Sequence, residues 1–134
     1  MRTGAALTAA ALVGTWRLVA FHDLDDRGDR STGPLGAEPR GLLVYTADGH
    51  VSVNMMRGDG ADPGGTRYMG YAGGWRVDGD RVLHSVGITP NPAWVDTEQV
   101  RDAVLDGDRL TLVGVALVDG RPRRRLLEWA RVGP

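Results

Sequence analysis

Cysteine and lysine are both missing from the 134 residues. Without cysteine there is no disulfide, no thiolate metal ligand and no sulfur nucleophile. Without lysine every basic side chain is Arg, which excludes a Schiff base or a lysine general base. Phenylalanine occurs once and aromatic residues make up 6% of the chain, so the core must rest on aliphatic side chains and a few Trp and Tyr. A charge excess is also missing: 16 basic residues stand against 17 acidic ones, for a net charge of −1. That balance offers no electrostatic footprint for nucleic acid or an anionic membrane. No stretch approaches the ~20 apolar residues that span a bilayer.

Metal and nucleotide signatures are scarce too. His22, His50 and His84 stand far apart, with no His-x-His or His-Glu-x-x-His spacing, so no metal site is expected. There is no phosphate-cradling loop and no strand–Gly-x-Gly-x-x-Gly–helix unit, so no nucleotide cofactor is expected. The run Arg121 to Arg125 reads as the solvated start of a strand.

What the sequence does have is glycine, 20 residues of it. A chain of this length reads as one domain, residues 1–134, and buries about two-thirds of its unfolded surface. Asp-Gly recurs at Asp48-Gly49, Asp78-Gly79, Asp106-Gly107 and Asp119-Gly120, each between apolar runs. The dipeptide suits type I′ hairpin turns, in which both central residues take positive φ. Eight strands are predicted: Gly14–His22, Arg40–Thr46, His50–Arg57, Tyr71–Val77, Arg81–Thr89, Thr97–Leu105, Arg109–Leu117 and Pro122–Val132. Tight hairpins in series favour an up-and-down antiparallel order, and closing it into a barrel removes the exposed edges. Eight strands enclose room for one small ligand. The Ala-rich start reads as a short N-terminal helix with Ala9, Leu12 and Val13 on its apolar side, rather than as a secretory leader. Three connections are not tight turns: Asp23 to Pro39, Gly58 to Gly70 and Pro90 to Asp96. Long connections often act as lids or binding loops, and Trp94 in the last is a candidate for a pocket rim or a barrel plug.

Gly14-Thr15-Trp16 opens the first strand, followed by Pro-Leu-Gly at Pro34 to Gly36 and Arg-Gly-Leu-Leu-Val-Tyr-Thr at Arg40 to Thr46. Asp-Gly-His ends at His50, Asn-Pro-Ala-Trp-Val spans Asn91 to Val95, and Glu-Gln-Val-Arg spans Glu98 to Arg101. Together these resemble the bacterial and fungal lipocalin-like domain family over nearly the whole chain. The resemblance implies an all-β, eight-stranded lipocalin-like barrel, with Trp16 packed at the closed end beneath Arg131 in a cation–π contact. It does not fix an activity, although some related barrels in natural-product pathways are cofactor-free cyclases or isomerases.

Period-2 alternation sorts the strand faces. Val82, His84, Val86 and Ile88 form the more apolar face of their strand, which turns His84 inward as a neutral ring able to accept a proton near pH 7. A structural, hydrogen-bonded His is the competing reading. Tyr71, Gly73, Trp75 and Val77 share a face that could wall a flat ligand, with room at Gly73, or pack as ordinary core. The resemblance places Gln99 and Arg101 inside. A buried Arg needs an acid or an anionic ligand, and Glu128 is the protein candidate if Leu126, Glu128, Ala130 and Val132 face inward. Asn54 orients a ligand carbonyl if Ser52, Asn54 and Met56 face inward, and is solvated if they do not.

Two functions follow. In the first, the chain is a cofactor-independent cyclase or isomerase for a small polyketide-like or related intermediate. His84 and Arg101 are then the catalytic pair, and Asn54, Tyr71, Trp75, Trp94 and Gln99 bind substrate. In the second, the same residues make a carrier for a small hydrophobic metabolite. Neither needs a cofactor, a nucleic acid or a membrane. A cytoplasmic location is expected, and oligomeric state is open, a homodimer included.

Overall fold

Apolar side chains at every second position, interrupted by glycine-bearing turns, build a meander that closes on itself. The computed structural model describes residues 7–59, 65–118 and 120–133. A one-turn helix α1 (Ala9–Leu12) is capped by Thr8, whose Oγ1 accepts from the Ala11 amide at 3.3 Å. The strands are β1 (Gly14–Leu24), β2 (Arg30–Thr32), β3 (Pro39–Tyr45), β4 (His50–Arg57), β5 (Tyr68–Asp78), β6 (Arg81–Ile88), β7 (Glu98–Asp106), β8 (Arg109–Val118) and β9 (Arg121–Arg131). All eight predicted strands are present. The ladder runs β1-β3-β4-β5-β6-β7-β8-β9, and β9 pairs back onto β1, so the sheet is a closed antiparallel barrel. The short β2 lies within the Asp23 to Pro39 connection and pairs with the far end of β1 through His22, Asp23 and Leu24.

Strand order sorts the connections between two ends. The tight hairpins β3–β4, β5–β6 and β7–β8, together with α1, lie at one end, which forms a floor. The long connections β1–β3, β4–β5 and β6–β7 lie at the other, which forms a mouth. At the floor, Trp16 is fully buried and donates Nε1–H to Leu12 O at 3.0 Å. The Arg131 guanidinium lies 4.2 Å from its ring centroid and donates to Val13 O and Ala11 O. At the mouth, the β1–β3 connection folds Leu35 into the core with no exposed surface.

The turns are not the predicted type I′. Asp78 pairs with Arg81 and Asp106 with Arg109, so the two loop residues are Gly79–Asp80 and Gly107–Asp108. Only the glycines take positive φ, +64° and +59°, which is the type II′ arrangement with Gly at its first central position. The β3–β4 loop has three residues, Ala47 to Gly49, again with only Gly49 at positive φ. Asp119 lies outside the described residues. Of the expected apolar face of α1, Leu12 is buried but Ala9 is exposed.

Candidate functional site

The inward faces of the strands leave a cavity of about 460 Å³ that opens at the mouth, within the usual range for small-molecule pockets. Phe21, Leu43, Val53, Met55, Leu112, Leu127 and Trp129 supply its apolar wall. Polar groups enter from few places: Tyr71 on β5, His84 on β6, Gln99 and Arg101 on β7, Asn91 in the β6–β7 connection and Arg125 on β9.

Register explains why His84 and Arg101 share this space. His84 faces Gln99 and Val82 faces Arg101 across the β6–β7 ladder. Same-face residues on this diagonal stand roughly 7–8 Å apart, within reach of a long side chain. His84 is 1% exposed and is bonded on both ring nitrogens, Nε2 to the Tyr45 hydroxyl at 2.6 Å and Nδ1 to the Tyr71 hydroxyl at 2.5 Å. Burial, helped by the positive charge of Arg101, lowers its pKa to about 3. The ring is therefore neutral, as the sequence implies, but it is a feeble base near pH 7. Burial also raises both phenols, Tyr71 to about 12 and Tyr45 well above its ordinary value, with Arg101 opposing the rise in each.

Arg101 is held by a chain of polar contacts along its own strand. Its Nη2 donates to Gln99 Oε1 at 2.9 Å and its Nη1 to Val100 O at 3.0 Å. Gln99 Nε2 donates to Thr97 Oγ1 at 3.4 Å, and that hydroxyl donates to Trp94 O at 2.6 Å. The guanidinium rests over Gly114 of β8, where an added Cβ would stand 2.5 Å from Nη1 and 2.7 Å from Cδ. No carboxylate meets Arg101 among the described residues. Glu128 does not face inward. It pairs with Arg30 on the outer surface at 3.2 Å, while Arg125, Leu127 and Trp129 face the cavity. Arg125 pairs with the buried Asp23 at 3.0 Å, a carboxylate that also meets Arg123 at 3.5 Å, a pairing hidden in the sequence inside a run of arginines.

Four other expectations need correction. Asn54 lies on the outer face and accepts from Tyr68 Oη at 2.7 Å, because Val51, Val53 and Met55 take the interior. Trp75 points inward but does not line the cavity. It sits at the floor, its ring centroid 4.4 Å from that of Tyr45 and its Nε1 donating to Thr46 O at 3.0 Å. Gly73 leaves no room for a ligand, since a Cβ there would stand 1.8 Å from Ser85 O. That close approach belongs to a β-bulge between Ala72 and Gly73 opposite Val86–Ile88. The extra residue turns Ile88 to solvent, 75% exposed, despite its place in the alternation. Trp94 sits on a 3₁₀ turn (Pro92–Trp94) at the mouth, edge-on to Tyr71 with centroids 6.3 Å apart, and lines the cavity.

Two further side chains shape the site, Tyr45, which the sequence does not single out, and Trp129, on a strand whose inner face the alternation leaves open. Tyr45 shares the inward face of β3 with Leu43, and that alternation was the available signal. Trp129 packs at 1% exposure, and its Nε1 is a buried donor with no partner among the described residues. No group of three or more His, Asp or Glu side chains able to hold a metal occurs among the described residues, and no helix among them is long and apolar enough to cross a membrane.

Compared with protein families, the sequence matches the lipocalin-like domain over residues 13–64 and 63–132. No curated protein matches it.

Proposed function

Because the chain belongs to the lipocalin-like domain family, whose barrel suits small hydrophobic ligands, we propose that its cavity binds a small, largely apolar molecule by an electron-rich oxygen set against Arg101. One observation carries this reading: a guanidinium without a carboxylate partner among the described residues, lining an otherwise mainly apolar cavity of about 460 Å³. A half-buried cation in such a place gains most from an anionic or carbonyl group brought by the ligand.

In its finer form the reading is a cofactor-independent ring closure or isomerisation of a polyketide-like or related intermediate. Such a reaction gains and loses no atoms, so it needs no co-reactant. The walls would fold a flexible chain into a reactive shape, and Arg101 would stabilise charge gathering on a carbonyl oxygen. His84 is not the base in this scheme, because its pKa of about 3 leaves it neither a proton acceptor nor a cation at neutral pH. A carrier would use the same contacts without turnover.

Titration with 2-naphthoate and naphthalene tests the binding. Naphthoate is expected to bind the native protein at least tenfold more tightly than Arg101→Met, the scale of one lost charged hydrogen bond, ~1.5–3 kcal/mol. Naphthalene is expected to bind both alike. Equal naphthoate binding by the two proteins, or none by either, defeats the assignment. Incubation with linear polyene ketones, followed by mass spectrometry and chiral chromatography, then separates the two activities. A product of unchanged mass and new retention marks an enzyme, and ligand returned unaltered marks a carrier.

A further inference from the structure

The Tyr45–His84–Tyr71 chain has a direction, and the direction follows from where each hydroxyl can send its proton. A neutral imidazole carries one donor and one acceptor nitrogen. His84 meets a tyrosine hydroxyl at each, 2.6 Å from Nε2 and 2.5 Å from Nδ1. One tyrosine must therefore donate to the ring, and the oxygen of the other must accept from it. Tyr45 is 1% exposed and has His84 as its sole hydrogen-bond partner among the described residues. If Nε2 carried the ring proton, the Tyr45 hydroxyl proton would be buried with no acceptor, which native interiors avoid. Tyr71 has a different outlook, because it lines the cavity.

We infer that Tyr45 donates to His84 Nε2, that Nδ1–H donates to the Tyr71 oxygen, and that Tyr71 thereby presents its own hydroxyl proton to the cavity as a ligand-facing donor beside Arg101. The inference rests on the ligand-binding reading only for its final step. Tyr45 and His84 act here as positioning residues. Each hydrogen bond in such a series polarises the next, so the last donor is stronger than an isolated phenol. Arg101 has donors only, and the relay turns Tyr71 into a second donor near it. The group recognised is then an acceptor without a proton of its own: a ketone, an enolate or a carboxylate, in preference to an alcohol or an amine.

Nitrogen-15 NMR of the ligand-free native protein decides the direction. His84 is expected to show a protonated, pyrrole-type Nδ1 and an unprotonated Nε2, unchanged between about pH 5 and 8. A protonated Nε2 overturns the proposal, whether or not any ligand binds. In Tyr45→Phe the Nε2 resonance should shift on losing its donor, and an unchanged resonance removes Tyr45 from the relay. For the last step the probe is 2-acetylnaphthalene labelled with carbon-13 at the carbonyl. Tyr71→Phe should return its carbonyl shift toward the value in aprotic solvent and weaken binding about threefold to tenfold, with naphthalene affinity unchanged. A carbonyl shift identical in Tyr71→Phe and native protein overturns the ligand-facing role. Failure of the native protein to bind either probe counts against the ligand-binding reading, and the tautomer still decides the relay.

Discussion

Single residues carry most of the chemistry, and two make sharp demands. His84 is neutral in the fold, with a pKa of about 3, against about 6.5 in an unfolded chain. Between those values the unfolded state binds a proton that the folded state refuses, so stability must rise with pH across that window and fall as the solution is acidified through it. Denaturant titrations should show up to ~3 kcal/mol lost from this group between pH 7 and pH 4, and His84→Gln should flatten the dependence. A slope unchanged in the variant would mean that the ring is charged where the structure has it neutral. Gly114 makes the second demand. Its missing side chain is the seat of the Arg101 guanidinium, so Gly114→Ala should displace that group. Naphthoate affinity should fall by about as much as in Arg101→Met, ~1.5 kcal/mol or more, with the circular dichroism spectrum preserved. Full affinity in the variant would show that the guanidinium does not need its present seat.

At the scale of the element, the strands were legible and their faces only partly so. Asp-Gly and period-2 alternation place all eight barrel strands, because hairpin turns and half-buried strands leave local signatures. The interior of this barrel is partly polar, which weakens the usual rule that the apolar face is the inner one. Hence β4 and β9 stayed ambiguous until the ladder fixed them: Val53 and Trp129 go in, Asn54 and Glu128 go out. The bulge at Gly73 was not legible, since it depends on the partner strand, and it is what sends Ile88 outward. Two neighbouring substitutions test that device. Gly73→Ala drives a Cβ into the Ser85 carbonyl and should cost more than ~2 kcal/mol. Gly74→Ala, whose Cβ would find only ordinary contact at 3.6 Å, should cost under ~1 kcal/mol. Equal costs would remove the bulge from the account. Tyr45 and Asp23 show the same limit from the side of the site, since each acquires its role from a partner far along the chain.

The whole molecule divides into a floor built for rigidity and a mouth built from irregular chain. Arg131 ties the floor together, binding Trp16 through its ring and α1 through the carbonyls of Ala11 and Val13. Arg131→Met keeps the bulk but loses those bonds, and should lower stability by about 1–3 kcal/mol while leaving naphthoate affinity within about twofold, since the cavity opens at the opposite end. A matching loss of affinity would mean that floor and cavity are mechanically one. Among the described residues the β6–β7 connection borders the cavity through Asn91, Ala93 and Trp94, so in the binding proposed above a guest entering at the mouth passes that segment on the way in and on the way out. A barrier on a shared path slows both passages by one common factor and leaves the equilibrium where it was. On that proposed reading, substitutions in the exposed turn at Pro92 would change residence time while occupancy at rest stays constant, so that how long a guest is held and how strongly it is held are separately adjustable.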